Sequence, residues 1–192
     1  YHDNNTVKAG IEINGAIFNL ASEIASHGPS SNIDGTTLDT AFKRWSELEP
    51  LLKKIANSPS TRAHPLNSLK LAAPLYNPGT IYCAGANYFD HAEEMGTTID
   101  KAAIEPLFFL KSCGAIVGPN ENVKLVKEYS QKYDWEVELA VVIGHEGHHL
   151  TIDNAMDIVA GYTIFNDVSA RDVGRRTDWS FGMDWFRHKS FD

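Results

Sequence analysis

A stretch of alternating acidic and apolar residues at positions 134–144, DWEVELAVVIG, sets the strictest limits on the fold of this chain. In a strand, Asp134, Glu136 and Glu138 point to one face. Trp135 points to the opposite face. Acidic residues are poor strand formers, so one interpretation is an edge strand whose acids are solvated. The other is burial, because the strand continues into an apolar run with no polar face, and buried carboxylates need a compensating cation.

A third candidate carboxylate ends the next long β-type run. Asp167 follows the mainly apolar residues 162–165 and Asn166. It could cap a following helix. If the two strands are neighbours, however, Glu136, Glu138 and Asp167 form an all-oxygen cluster suited to a hard divalent cation. Mg²⁺ or Mn²⁺ fits such a set, with Ca²⁺ as a substitute, whereas zinc prefers His or Cys.

A histidine and a glutamate three positions apart form a second constellation. Residues 88–95 predict a short helix closed by Gly96, so His91 and Glu94 share a helix face. A carboxylate beside an imidazole fixes its tautomer and raises its basicity, as a general base requires. The alternative is a surface pair without a catalytic role.

Residues 145–149 read HEGHH and match the H-E-x-x-H pattern of zinc proteases. That pattern needs two histidines one helical turn apart. Gly144 and Gly147 interrupt the stretch, and a strand ends just before it, so helical spacing is not expected. The sequence favours a solvated, histidine-rich turn.

The charge balance limits the classes of partner. The 192 residues include 17 Lys+Arg and 25 Asp+Glu, a formal net charge of −8. Nucleic acids and anionic membranes bind clustered cations, so neither is expected as a partner. No apolar run approaches the roughly 20 residues that cross a bilayer, and no signal peptide is visible, although the chain starts at Tyr1 and a removed targeting segment stays open. We expect a cytoplasmic protein with two reduced thiols, Cys83 and Cys113.

The N-terminal third predicts a small domain, residues 1–72. Asn14-Gly15 between two β-prone runs predicts a two-residue hairpin turn. Residues 21–37 are expected to form a loop. A helix is predicted from Leu38 and a second short helix from Pro50. A linker is expected at residues 57–78.

The second domain, residues 73–192, is predicted to alternate strands with short helices. Strands are expected at residues 80–84, 107–111, 134–143 and 162–167, with helices at 88–95 and 151–160 and a helix-like segment after Asp167.

Five strings occur in order in this second domain: IYCAGANYFDHAEEM, PLFFLKSCGAIVGPNENV, YDWEVELAVVIG, DIVAGYTIFNDVSARD and HKSFD. Together, over about residues 80–192, they resemble the fumarylacetoacetate hydrolase family. The resemblance implies an α+β, β-rich fold, a mixed β-sheet roll with short helices, preceded by a small α/β domain as in bacterial members. It also implies that the family's catalytic fold continues beyond the last string, so that the chain stops within that fold.

The resemblance assigns roles residue by residue. Glu136, Glu138 and Asp167 match the family's metal carboxylates. His91 and Glu94 match a water-activating pair on a lid helix.

Further roles rest on the same resemblance. Lys189 matches a lysine that polarises the substrate carbonyl, and Arg171 resembles an arginine that supports the site. Ala86 departs from the pattern, because some acylpyruvate-cleaving members have an arginine there. Substrate specificity is expected to depend on pocket shape and on candidate lid residues: Phe89, Met95 and Trp185.

The activity implied is catabolic: metal-dependent hydrolysis of a C–C bond in a β-diketo acid or acylpyruvate, by a homodimer. The cation would stabilise the departing enolate, while His91 and Glu94 deprotonate the attacking water. One alternative is a decarboxylase or isomerase of a 2-oxo-dioate, of the oxaloacetate or hydroxyheptadienedioate type, on the same site. Another is a non-catalytic family member, against which the complete set of site residues argues.

Overall fold

The computed structural model describes residues 1–28, 31–85, 87–94, 96, 98, 100, 105–178, 180 and 182–190. The fold is mixed α+β, with many short strands and short helices, as predicted. Among the described residues, no helix combines the length and the apolar character that crossing a bilayer requires.

The elements are numbered in chain order. The strands are β1 (His2–Asp3), β2 (Thr6–Val7), β3 (Gly10–Ile13), β4 (Ala16–Asn19), β5 (Ala63–Pro65), β6 (Ile81–Gly85), β7 (Leu107–Lys111), β8 (Tyr133–Asp134), β9 (Val137–Ile143), β10 (Val159–Asn166) and β11 (Ser169–Ala170). The α-helices are α1 (Leu20–His27), α2 (Leu38–Ala41), α3 (Trp45–Asn57), α4 (Phe89–Glu94) and α5 (Trp185–Lys189). Short 3₁₀ turns occupy Phe42–Arg44, Leu66–Ser68, Cys113–Ala115 and Ala155–Ile158.

Contacts divide the chain into two compact units, each drawn from separate stretches of sequence. The first contains Tyr1–Tyr76, Val117–Asn122 and Val137–Asn166, and the second contains Asn77–Ile116, Val123–Glu136 and Asp167–Asp192. The predicted domain boundary between residues 72 and 73 stays a prediction.

The hairpin predicted at Asn14-Gly15 is confirmed. β3 and β4 pair antiparallel with Ile13 opposite Ala16. Asn14 and Gly15 have φ of 52° and 81°, the left-handed values that a type I′ turn requires. β5 pairs with β4. Residues 63–65, expected in a linker, therefore complete a three-stranded sheet.

Helices supply most of the core of the first unit. Helix α1 occupies part of the predicted loop at 21–37, and Asn19 caps it by accepting a hydrogen bond from the Ser22 backbone N–H at 3.0 Å. Pro50 lies inside α3 and does not start a new helix, so that prediction was wrong. The apolar residues of α3 form one continuous buried stripe, and their burial offsets the hydrogen bond that proline removes. The core cluster comprises Ala9, Leu20, Ile24, Ile33, Ala41, Trp45, Leu48, Leu51 and Ile55.

The first unit also buries one acid, Glu23, completely. Its carboxylate accepts hydrogen bonds from the backbone N–H groups of Ser60 and Thr61, at 3.1 and 2.7 Å, and from both hydroxyls. Burial acts to raise the pKa of Glu23, but the hydrogen bonds from Thr61 and Ser60 outweigh it, and the pKa is lowered overall. Glu23 thereby fastens the segment after α3 to α1.

Strands β9 and β10 form a long antiparallel pair, with Val159 opposite Ile143 at one end and Asn166 opposite Val137 at the other. The helix predicted at 151–160 was wrong. Residues 152–154 form a turn, a 3₁₀ turn follows, and β10 begins at Val159, because pairing with β9 draws Val159 and Ala160 into the strand.

The HEGHH stretch in that connection is not helical, which confirms the argument against a zinc-protease helix. The sequence suggested that the apolar part of β9 is buried on both faces. The structure shows that it is not. One face of the β9–β10 pair is exposed and apolar, and it consists of Val137, Leu139, Val141, Ile143, Tyr162 and Ile164.

In the second unit, β6 pairs antiparallel with β7, and β8 with β11. The strands predicted at 80–84 and 107–111 and the helix at 88–95 are confirmed, with small shifts at their ends. Alternation in β7 buries Phe109 and Lys111 and exposes Phe108 and Leu110. The short helix α5 packs on this strand through Trp185, whose ring stacks on Phe109 at 4.5 Å between centroids.

Candidate metal centre

The strand ladder brings the three predicted carboxylates together. The Asp167 backbone N–H donates to the Glu136 carbonyl at 2.9 Å, which extends the β9–β10 pairing by one step. The strand predicted at 134–143 is broken at residues 135 and 136, so Glu136 lies between β8 and β9, whereas Glu138 lies two residues further on, within β9. One carboxylate oxygen from each of the three residues lies within 4.8 Å of the other two. Asp167 does not cap a helix, because the strand β11 follows it.

Two lysines provide the cationic side of this cluster. Lys189 Nζ lies 2.7 Å from Glu136 Oε2 and 2.8 Å from Asp167 Oδ2. Lys111 Nζ lies 2.8 Å from Asp167 Oδ1. Both lysines and Asp167 are buried. A buried charge needs such partners, because transfer of an isolated ion out of water is far too costly.

Arg171 completes the charge network. Its Nη2 lies 2.5 Å from Glu136 Oε1, and its Nε donates to Asp134 Oδ2 at 3.0 Å. Partial burial acts to raise the pKa of Asp134, but the hydrogen bond from Arg171 and the nearby charges of Arg171 and His91 lower it overall. Arg171 therefore bridges two carboxylates on the same acidic stretch.

The backbone around Lys189 is also fixed. Lys111 donates through Nζ to the Lys189 carbonyl, so that one lysine holds the main chain of the other. Asp184 caps α5 by accepting a hydrogen bond from the Arg187 N–H at 3.1 Å. The ammonium of Lys189 lies 5.5 Å from the centre of the Phe109 ring. These contacts fix both the backbone and the side chain of Lys189.

The predicted base pair lies on α4. His91 Nδ1 is 3.9 Å from Glu94 Oε2, so the two residues share a helix face as predicted. Glu94 is mostly exposed, and His91 is about one-third exposed. His91 is also one of the smaller causes that lower the pKa of Asp134. The catalytic roles of His91 and Glu94 stay predictions.

The residues present fit a divalent cation. Neither carboxylate oxygen of the fully buried Asp167 accepts a hydrogen bond of good geometry from any residue that the structure describes, although two ammonium groups lie at ion-pair distance. Such an orphaned, buried anion is a ready ligand. The donor set is entirely oxygen, which suits Mg²⁺, Mn²⁺ or Ca²⁺. The 4.8 Å limit on oxygen separation is close to twice a typical metal–oxygen distance.

Sequence reasoning missed one member of the network, Lys111, and one contact, the ion pair between Asp134 and Arg171. Lys111 had a visible signal, because it shares a strand face with the buried Phe109 in LFFLK, and a lysine on an apolar face requires an acidic partner. Asp134 was placed on the acidic face, but its partner Arg171 is 37 positions away.

Of the residues expected near the pocket, Ala86 and Met95 lie outside the described residues. Phe89 is exposed on α4, and Trp185 packs on Phe109.

The chain is similar in sequence to known proteins. Residues 80–192 match the family model described as fumarylacetoacetate (FAA) hydrolase C-terminal. The chain is 43% identical over 128 residues to the human mitochondrial protein named oxaloacetate tautomerase FAHD2A, covering 67% of this chain and 38% of that protein. It thus spans less than half the length of that relative.

Two solved structures extend the likeness to the fold. A fumarylacetoacetate hydrolase from the psychrophilic Exiguobacterium antarcticum is 28% identical, with a TM-score of 0.71 over 100% of this chain and 61% of that one. A 2-hydroxyhepta-2,4-diene-1,7-dioate isomerase from Mycobacterium marinum is 34% identical, with a TM-score of 0.55 over 69% of this chain and 45% of that one. The predicted fold class is confirmed.

Proposed function

Because the chain belongs to the fumarylacetoacetate hydrolase family, we propose that it is part of an enzyme that interconverts the keto and enol forms of a 2-oxo-dicarboxylic acid of the oxaloacetate type. The observation that carries the proposal is the buried Asp167 beside Glu136 and Glu138, with one carboxylate oxygen of each within 4.8 Å of the other two. The two oxygens of Asp167 accept no hydrogen bond of good geometry from the described residues. The choice of tautomerisation draws on the 43% identical human relative, which is named an oxaloacetate tautomerase.

With a divalent cation bound, the charge of the cluster would suit a small dianion. Four carboxylates, Asp134, Glu136, Glu138 and Asp167, face three cations, Lys111, Arg171 and Lys189, which leaves one net negative charge. A divalent cation would reverse that sign and attract an anionic substrate. When bound, the cation would draw electron density from the 2-oxo group and so make the neighbouring C–H more acidic.

The residues of the chain then have separate tasks. Glu136, Glu138 and Asp167 would hold the cation. Lys189 would donate a hydrogen bond from Nζ to the 2-oxo oxygen, where negative charge develops as the enol forms. His91, with Nδ1 facing Glu94, would take the C3 proton at Nε2. The C3–H bond breaks and its proton goes to His91 Nε2, while the 2-oxo oxygen takes a proton from solvent to form the O–H bond. His91 then releases its proton to solvent, so that no proton is gained or lost overall.

A second candidate is the hydrolase reaction on a β-diketo acid or acylpyruvate. The likeness to the Exiguobacterium enzyme favours it, and the same His91–Glu94 pair would then deprotonate a water that attacks the distal carbonyl. Product analysis in ¹⁸O-labelled water separates the two. Hydrolysis places the label in a new carboxylate, whereas tautomerisation breaks no C–C bond.

The test uses the full polypeptide with added Mg²⁺ or Mn²⁺. We expect rapid loss of enol absorbance from oxaloacetate, and a decrease of about 10² to 10⁴ in kcat for His91→Ala. Lys54→Ala, an exposed position on α3, is the matched control. Enol decay no faster than in the uncatalysed solution would contradict the tautomerase proposal. Cleavage of an acylpyruvate with label incorporation would support the hydrolase.

Three associated expectations are proposals of the same kind. Titration with each metal by calorimetry would decide between Mg²⁺ and Mn²⁺. Light scattering would test the homodimer. Cell fractionation would test the cytoplasmic location, which the mitochondrial label of the human relative makes worth measuring.

A further inference from the structure

The position of Lys189 depends on a helix that is too short to be stable alone. α5 has five residues, and isolated helices need roughly 12–15 to form in water. Its geometry must therefore come from contacts with the rest of the second unit. One of those contacts involves His188, a buried residue that the proposed chemistry does not use.

The ring of His188 is fixed at one nitrogen. Nδ1 lies 2.8 Å from the Ala170 carbonyl oxygen. Because a carbonyl only accepts, Nδ1 carries the hydrogen and the imidazole needs no positive charge. Burial is the largest influence on the pKa of His188 and lowers it, and the charges of Lys189 and Arg171 act in the same direction.

Gly174 packs closely against the ring, near its Cγ and Nδ1 atoms. A Cβ atom on Gly174 would lie 2.7 Å from His188 Cγ, a distance that real side chains do not adopt. The Gly174 carbonyl also accepts a hydrogen bond from the Asp184 N–H at 2.6 Å, at the N-cap of α5. Gly174 thus contacts α5 both at its start and at His188.

We propose that His188 is a positioning residue for Lys189. Its ring is hydrogen-bonded to the Ala170 carbonyl and packs against Gly174, and these contacts set the rotation of α5 and so hold Lys189 Nζ between Glu136 and Asp167. Successive helical residues are about 100° apart around the axis. The space that Gly174 and the Ala170 carbonyl leave for the His188 ring is here called the slot. A rotation of α5 that withdraws His188 from the slot therefore moves Lys189 away from the carboxylates. This inference rests on the proposed function only for its kinetic consequence.

The experiment perturbs the slot from both sides in the full polypeptide. His188→Ala removes the imidazole ring, and Gly174→Ala displaces the ring without altering residue 188. His188→Asn keeps an amide N–H near the place of Nδ1. Arg187→Ala, on the exposed side of α5, is the matched control. We expect kcat to fall about 10- to 100-fold for the first two variants with little change in KM, and substantial recovery in His188→Asn.

A second readout does not depend on turnover. In the metal-free protein, Lys189 is nearly inaccessible, with 4% of its side chain exposed. Its acetylation rate, followed by mass spectrometry, should rise in His188→Ala and Gly174→Ala and stay low in His188→Asn and Arg187→Ala. In the double variant with His188→Ala and Gly174→Ala, the second substitution should not raise the acetylation rate further, because its methyl group occupies the space of the missing ring.

The outcomes separate the two proposals. Unchanged Lys189 acetylation in both slot variants would overturn the positioning role, as would equal loss of kcat in His188→Ala and His188→Asn. If the wild type does not turn over oxaloacetate, or Lys189→Ala leaves kcat unchanged, the proposed function fails, and the acetylation pattern still decides the role of His188.

Discussion

Glu23 and Asp167 are both fully buried carboxylates, but their surroundings differ. In the first unit, Glu23 is completed by backbone N–H groups and hydroxyls of Ser60 and Thr61. In the second unit, Asp167 faces the ammonium groups of two lysines, with no hydrogen bond of good geometry from the described residues. Glu23 has its hydrogen-bonding capacity filled and acts as a structural clamp. Asp167 has its charge balanced by ammonium groups that make no hydrogen bond of good geometry to it, so its oxygens suit a metal ion.

The largest effect is expected from Asp167→Asn. The amide keeps the shape but loses the charge, so affinity for Mn²⁺ should fall more than the 10- to 100-fold typical of residues that only support a metal ligand. Calorimetric titration measures this, with Glu23→Gln as the control that keeps wild-type affinity. Equal metal binding by Asp167→Asn and wild type would remove the contrast between the two acids.

The next effect concerns the lysines. Lys111→Met keeps the length of the side chain but leaves Asp167 with one cation, so the metal-free protein should lose about 3 kcal/mol of unfolding free energy. Urea unfolding in a chelator measures the loss, and Lys54→Met on the surface of α3 is the control. A stability equal to that of the control would show that the ion pair does not balance the charge of Asp167.

A smaller loss is expected in the first unit. Glu23→Gln places an amide N–H₂ group against the donors of Ser60 and Thr61, so we expect about 2 kcal/mol of destabilisation. Metal affinity should not change. A change in metal affinity without a loss of stability would contradict the structural role of Glu23.

The smallest effect is the pH dependence that Glu23 contributes. Its pKa in the folded state lies below the ordinary value of 4.5, so the folded state releases this proton more readily. The resulting stability is fully present above pH 4.5 and is lost as pH falls through the folded-state pKa. The stability difference between wild type and Glu23→Gln should therefore shrink from pH 6 to pH 3 in urea titrations. A difference that stays constant would mean that Glu23 has no shifted pKa.

Elements of the fold could be predicted from the sequence where local chemistry decides their structure. The Asn14-Gly15 hairpin follows from turn preferences alone. The helix expected at 151–160 had local cap signals at Thr151 and Gly161, but pairing of β9 with β10 overrides them. Likewise, the loop at 21–37 contains a capped helix whose stability comes from packing its buried face.

The candidate site shows the same division. Glu136, Glu138 and Asp167 could be predicted as a cluster because they lie at the ends of two β-type runs that were expected to be neighbours, and β9 and β10 do pair at Val137 and Asn166. Lys111 and the slot around His188 could not, because their partners are set by tertiary contacts. Charge balance in a buried cluster depends on the whole set of neighbours, which periodicity does not encode.

The long sequence separations within the lysine–carboxylate network affect the order of folding. Lys189 meets Glu136 across 53 positions, and Lys111 meets the Lys189 carbonyl across 78. Closing such loops costs entropy that is repaid only after the connecting strands are in place, so the network is expected to form late. A ligand held by late-forming contacts stabilises the native state more than the transition state. A divalent ion should therefore slow unfolding while leaving the refolding rate nearly unchanged.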